Sequence, residues 1–228
     1  MRPGLLTRLR RRYLKPWRRT RYGDIDVFHK RHLDGGGSSF GQAFVPFLQQ
    51  RGMPKQRRIF EWCAGPGFIG FSLLAHGLCE SLCLADINDE AVAACRRTIR
   101  RNGLENRVAV HRSDNLADIP KAECWDLIVS NPPHFADDFI GQLKEHDSGW
   151  QLHRDFFLNV LPHLNPGAVI VLQENNRGST AETFRPLIES AGLSIVFAHG
   201  AAAARTAEDR FYFLGIMRRG DAVPGWAR

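Results

Sequence analysis

Apolar residues recur along the chain in short blocks, and the spacing within each block sets its expected element. Runs at Arg58–Cys63, Ser81–Asp86, Val108–Val110, Trp125–Val129 and Ala168–Leu172 are β-branched or apolar and only three to six residues long. They read as buried strands. Between them, Gly70 opens a helix reaching His76, and Glu90–Arg101, Gln151–Leu161 and Thr180–Ala191 carry helical periodicity. Asn88 or Asp89 can cap the second of these helices. Leu193–Phe197 and Arg210–Met217 read as a closing antiparallel pair. Strands joined by helical crossovers predict an α/β fold, a mostly parallel sheet with helices on both faces.

Upstream of this body the pattern is less regular. Tyr22–Phe28 alternates as a short strand or hairpin arm. Gly35–Gly36–Gly37–Ser38–Ser39 is a loop, because three successive glycines do not suit a regular element. Phe40–Gln50 reads as a helix with Pro46 awkwardly in its middle, and Pro166–Gly167 introduces the fifth strand of the body. Leu6, Leu9, Tyr13 and Trp17 fit a helical stripe broken at Pro16. The soft boundary falls near Lys55, giving a basic arm and glycine-rich cap over 1–54 and the main domain over 55–228.

Composition is that of an ordinary globular protein, with 43% hydrophobic and 24% charged residues in a chain of 228. The charge is unevenly placed. Residues 1–58 carry 15 basic and 3 acidic residues, a net of +12, while 59–228 carry 16 and 21, a net of −5. A basic N-terminal region steers anionic partners, with nucleic acid, phosphates and membrane surfaces all open at this point. No run of 18 apolar residues predicts a membrane span, and five cysteines without paired CxxC knuckles predict reduced thiols in a cytoplasmic protein. None of the nine histidines forms a zinc motif with them, so no metal is expected. Phosphate-loop and nucleophile-elbow patterns are missing as well.

The chemistry-bearing segments all follow predicted strands. Glu61–Gly70 places Gly65, Gly67 and Gly70 in a GxGxxG spacing between strand and helix, with Ala64 opening the turn. That spacing alone also suits a nicotinamide nucleotide. Asp86 ends the next strand, 16 residues after Gly70, where it can accept from both ribose hydroxyls, with Ile87 beside it. A dinucleotide enzyme would place an acid there too. Glu61 separates the readings: it can face a positively charged amino-acid portion but would repel a pyrophosphate. Asp114, after the third strand, can accept from an adenine amino group, with Asn115 or Leu116 flanking the ring.

With those residues the chain resembles a class I S-adenosylmethionine-dependent methyltransferase over roughly 28–217. The resemblance implies a Rossmann-like seven-stranded, mostly parallel sheet ending in an antiparallel hairpin. It implies S-adenosyl-L-methionine as cofactor, held by Glu61, Ala64, Gly65, Gly67, Gly70, Asp86, Ile87, Asp114, Asn115 and Asn131. Asn131–Pro132–Pro133–His134–Phe135 follows the fourth strand and is similar to the Asn-Pro-Pro-Tyr or -Phe signature of amino-group methyltransferases. Asn131 Oδ1 and the Pro132 carbonyl can accept the two N–H groups of a planar amine and turn its lone pair toward the methyl. His134 stands where that signature has an aromatic ring, and can stack, hydrogen-bond or take a proton. Pro133, His134, Phe135, Phe40 and Gln42 are the expected acceptor-side residues, with His134 also in the catalytic set. Asp137, Asp138, Glu145 and Asp147 make the following stretch acidic, which reads as a solvated loop or suits a cationic acceptor, and Gln173–Asn176 can face substrate after the fifth strand.

Four functional readings follow. An exocyclic base amine of RNA, engaged through the basic arm, is the first. A small-molecule amine, guanidine or amino acid is the second, and a protein glutamine the third. An RNA-binding protein without catalysis is the reading of another class.

Overall fold

The computed structural model describes residues 16–136, 146–200 and 211–228. The helical stripe at Leu6, Leu9 and Tyr13, the acids Asp137, Asp138 and Glu145, and Arg210 lie outside them. Two strands, β1 (Trp17–Tyr22) and β2 (Ile25–Lys30), open the described chain as an antiparallel hairpin. Trp17 therefore sits in a strand and not on a helix. The turn is two residues long, with Gly23 at φ +52°. A 3-10 turn at Phe40–Ala43 runs into helix α1 (Phe44–Gln50), which places Pro46 in the first turn. There its missing N–H costs no helical hydrogen bond, so the proline is compatible with the helix.

The main sheet holds seven strands: β3 (Gln56–Glu61), β4 (Cys79–Asp86), β5 (Val108–Arg112), β6 (Trp125–Ser130), β7 (Leu164–Asn175), β8 (Leu193–His199) and β9 (Phe211–Arg218). Their order is β5-β4-β3-β6-β7-β9-β8, with β9 antiparallel to both neighbours and the other pairings parallel. The helices are α2 (Phe68–Ala75), α3 (Asp89–Asn102), α4 (Gln151–Val160) and α5 (Ala181–Ser190). Asn88 caps α3, its side chain accepting the Glu90 N–H at 2.9 Å. The strand order reverses between β3 and β6, and an open α/β sheet binds its ligands at such a reversal, beyond the C-terminal strand ends.

Two buried clusters cover the faces of the sheet. One joins Ile59, Leu82, Leu84, Leu127 and Val171 to α2, and to Val27, Phe44, Phe47 and Leu48 from the upstream segment. The other packs Phe60, Ile128 and Ile170 against Phe156, Phe157 and Phe184. The hairpin and α1 are thus part of the same core as the sheet. β7 is longer than the apolar run that marks it. Pro166–Gly167 lie inside it, at a register irregularity against β6 where a proline can be tolerated. At its far end Gln173, Glu174 and Asn175 are buried strand residues, not a loop facing substrate.

Candidate active site

A cavity of about 470 Å³ opens beyond the C-terminal ends of β3, β4 and β6. That volume suits a small-molecule ligand. Its wall is built from the turn after β3, where Ala64 N–H bonds to Ala85 O at 2.9 Å and Gly67 N–H closes on Ala64 O at 2.8 Å. Gly65 has φ +52° and Gly67 φ +79°. A Cβ on Gly67 would stand 2.7 Å from Phe71, and one on Gly70 would stand 2.7 Å from both Glu61 Oε2 and Leu82. Those two glycines therefore let α2 press against β3 and β4, and they stand outside the cavity wall. Gly65 is on the wall, as is Ala64.

Glu61, at the end of β3, is buried and takes the N–H of Gly70 at 2.7 Å and of Ile69 at 3.3 Å. It thereby satisfies orphan donors in the first turn of α2. Burial pushes its carboxyl up to about 8, against the pull of those two N–H groups, and Asp86 adds to the rise. No cationic side chain among the described residues pairs with it. Asp86 ends β4. Its Oδ2 accepts the Gly65 N–H at 2.7 Å and its Oδ1 the Asn88 N–H at 2.8 Å. Burial raises its pKa, partly opposed by the same two bonds. Each oxygen keeps a further lone pair for a ligand hydroxyl.

Beyond β5, Asp114 is exposed and Asn115 adopts φ +53°. The Asn115 amide donates to Leu152 O at 3.0 Å, tying this wall to the start of α4. Cys63, at φ +52°, is a second non-glycine residue with a left-handed backbone on the wall. Such conformations collect where surrounding structure holds a site in shape.

Asn131, Pro132, Pro133 and His134 leave β6 and line the same cavity. Ser130 donates to Trp62 O at 2.6 Å, and Trp62 N–H to Val129 O at 3.1 Å, so the two strand ends that flank the reversal are stitched together. The His134 ring meets Phe135 edge-on at 4.8 Å and Phe211 at 5.9 Å. Phe135 itself is buried, packed where a Cβ on Gly178 would clash, and stands outside the wall. Gln42 also stands behind the wall, its amide donating to Gly37 O at 3.1 Å. The Phe40 side chain lies outside the described part of the structure.

Of the sequence-selected residues, the cavity gathers Glu61, Ala64, Gly65, Asp86, Ile87, Asp114, Asn115, Asn131, Pro132, Pro133 and His134. It adds His32 and Leu33 from the turn after β2, and Gly35 and Gly37 from the glycine loop. Only the glycine loop had a sequence signal. Asp147 does not face an acceptor. It is buried, takes the N–H groups of Leu152 and His153, and holds His153 Nδ1 at 2.6 Å.

The sheet order, the reversal and the loops gathered over it define a Rossmann-like methyltransferase fold. Residues 20–181 match the methyltransferase small domain, and the chain belongs to that family. It is 29% identical over 90 residues to a release factor glutamine methyltransferase of Clostridium acetobutylicum, covering 39% of this chain and 32% of that protein. It is 30% identical over 146 residues to a ribosomal RNA small subunit methyltransferase C of Actinobacillus pleuropneumoniae, covering 58% and 42%. The chain thus spans less than half the length of these two relatives. Among solved structures, the Thermus thermophilus 16S rRNA N2 G1207 methyltransferase in complex with AdoMet and guanosine superposes with a TM-score of 0.61 at 16% identity, over 90% of this chain and 50% of that one. No helix among the described residues is long and apolar enough to cross a membrane.

Proposed function

We propose that the chain is an S-adenosyl-L-methionine-dependent N-methyltransferase of the Asn-Pro-Pro type, with an exocyclic base amine of RNA as acceptor. The observation that carries this reading is the convergence on one cavity of Asp86 and Gly65 with Asn131, Pro132 and Pro133. The cavity suits the cofactor chemically. Asp86 has free lone pairs for a vicinal diol, and buried Glu61 lacks a cation that an ammonium group would provide. Asp114, Asn115 and Ile87 are assigned to the adenine side. Gly67 and Gly70 serve by holding α2 close.

Bound S-adenosylmethionine supplies an electrophilic methyl group on a sulfonium. The protein's part is to present the acceptor. Asn131 Oδ1 and the Pro132 carbonyl take the two N–H groups, so positive charge growing on nitrogen meets two fixed dipoles. Pro132 and Pro133 hold those acceptors in place through their restricted φ. His134 stacks on or hydrogen-bonds the acceptor, while Phe135 and Gln42 brace the loops from behind. Residues 16–54 share the core of the sheet and serve as the substrate-side cap of that one body.

A protein glutamine is the second reading, favoured by the names of several relatives. The test is transfer of labelled methyl from S-adenosylmethionine into RNA, protein and small-molecule fractions, with Asn131→Ala as control. Label in RNA that disappears in the control supports the proposal. Label confined to protein or to small molecules overturns the RNA assignment.

A further inference from the structure

The outer face of the β1–β2 hairpin carries a pattern that the cavity does not use. By strand alternation and pairing, Trp17, Arg19 and Arg21 of β1 share one face with Lys30, Phe28 and Asp26 of β2. The opposite face, with Tyr22, Ile25 and Val27, is buried. Helix α3 runs alongside and is tied to β2 by Thr98 Oγ1, which accepts the Phe28 N–H, and by Asn102, which bonds both backbone groups of Asp26. Arg97 of α3 lies over the Trp17 ring at 4.6 Å and over Phe28 at 5.4 Å, and Lys30 Nζ is 5.7 Å from Trp17. Arg101, one helical turn beyond Arg97, is exposed.

Trp17 keeps 38% of its surface in water, one of few large apolar side chains to do so among the described residues. Burying it against the core would have been the stabilising choice. It is instead displayed, with cations on its flanks. Asp26 meets Arg19 at 3.3 Å and Arg21 at 3.7 Å, and Glu90 meets Lys30 at 3.7 Å. Lys30 is buried with its partner Glu90, and Asp26 alone opposes the four arginines Arg19, Arg21, Arg97 and Arg101, so the face keeps a positive excess. A part-exposed aromatic ring with cations against it matches an exposed nucleobase beside its phosphates, because every base has a π-face and every linkage a negative charge. An acidic peptide would satisfy the cations but leave the ring without a planar partner.

We infer that this hairpin–α3 face docks RNA, stacking a base on Trp17 while Arg19, Arg97 and Arg101 hold the flanking phosphates. The inference rests on RNA being the acceptor, and it names how that acceptor is held outside the cavity. The two surfaces adjoin: β2 leads into His32 and Leu33, and α3 supplies Ala91, all on the cavity wall.

The test measures binding of a fluorescently labelled RNA stem-loop with a single-stranded flank to the full chain, by anisotropy across a salt series. The variants are Trp17→Ala, Trp17→Phe, and the double variant Arg19→Glu with Arg101→Glu. Trp17→Ala is expected to weaken binding roughly tenfold and Trp17→Phe to restore most of it. The double variant is expected to flatten the salt dependence by about two phosphate contacts. Cofactor affinity and thermal midpoint, followed alongside, are expected to stay at the wild-type level. RNA binding that ignores all three variants overturns the inference even if RNA is methylated. Loss of RNA binding in the variants while label enters only protein keeps the docking face and overturns the acceptor. Equal loss for Trp17→Phe and Trp17→Ala overturns the stacking role.

Discussion

His153 Nε2 lies 3.1 Å from Glu174 Oε1, with both side chains fully removed from solvent. The same imidazole holds Asp147 through Nδ1, and the Asp147 N–H donates to Phe135 O at 2.8 Å. A single ring thus links the end of β7 to the loop that follows Asn131. Burial alone would lower its pKa. The charge of Glu174, and hydrogen bonds donated by the ring to Asp147 and Glu174, override that and raise it to about 9.

Because the folded-state pKa is raised above the usual 6.5, the folded protein binds a proton that the unfolded chain has lost between about pH 6.5 and 9. The contribution is complete below that window and disappears as pH rises through it. Urea denaturation should therefore give a lower midpoint at pH 9.5 than at pH 6.5. His153→Gln should lose about 3 kcal/mol at neutral pH and flatten that dependence. A variant with an unchanged slope would remove His153 as the titrating group.

Glu61 gives a prediction for ligand binding. Its carboxyl is raised to about 8, so between 4.5 and 8 the folded state keeps a proton that the unfolded state releases, and this group lowers stability as pH climbs. A cation seated beside it favours the ionised form. Calorimetric titration with S-adenosylmethionine at pH 7, in two buffers of different ionisation enthalpy, should show proton release that Glu61→Gln abolishes. Identical signals from wild type and variant would place the cationic end elsewhere.

Asp86→Asn replaces one acceptor oxygen by a donor facing the N–H of Gly65 or Asn88. The expected result is a cofactor Kd raised at least about tenfold, on the scale of one charged hydrogen bond, with the fold intact by circular dichroism.

Gly70→Ala should cost about 1–3 kcal/mol, because its new methyl meets Glu61 and Leu82 at 2.7 Å. Gly225→Ala, which meets nothing within 4 Å, is the control in a thermal melt. Equal midpoints would mean that α2 can withdraw from β3 without penalty.

Much of this was legible in the sequence because it is local. Short apolar runs marked all seven strands of the sheet, and residues just past a strand end fall at the sheet edge wherever the chain runs parallel. Glu61, Asp86, Asp114 and Asn131 come together for that reason. What was not legible depends on long-range neighbours. Gly67 and Gly70 look alike as cofactor glycines until Phe71, Leu84 and Leu82 are seen pressing on them. Trp17 fits a helical stripe, but pairing with Lys30 makes it a strand residue. Asp147 looked like a solvated acid because its partner His153 and the distant Glu174 gave no shared signal. His32 and Leu33 reach the wall only because the hairpin folds back on α3.

The backbone contact between Phe135 and Asp147 has a mechanical consequence. Phe135 also bridges His146, and Asp147 is itself fixed by His153, so the peptide following Asn131–Pro132–Pro133 is clamped to α4 and β7 from its far side. A disturbance of the buried His153–Glu174 pair therefore reaches the cavity wall through backbone contacts, with no change to Asn131, Pro132, Pro133 or His134.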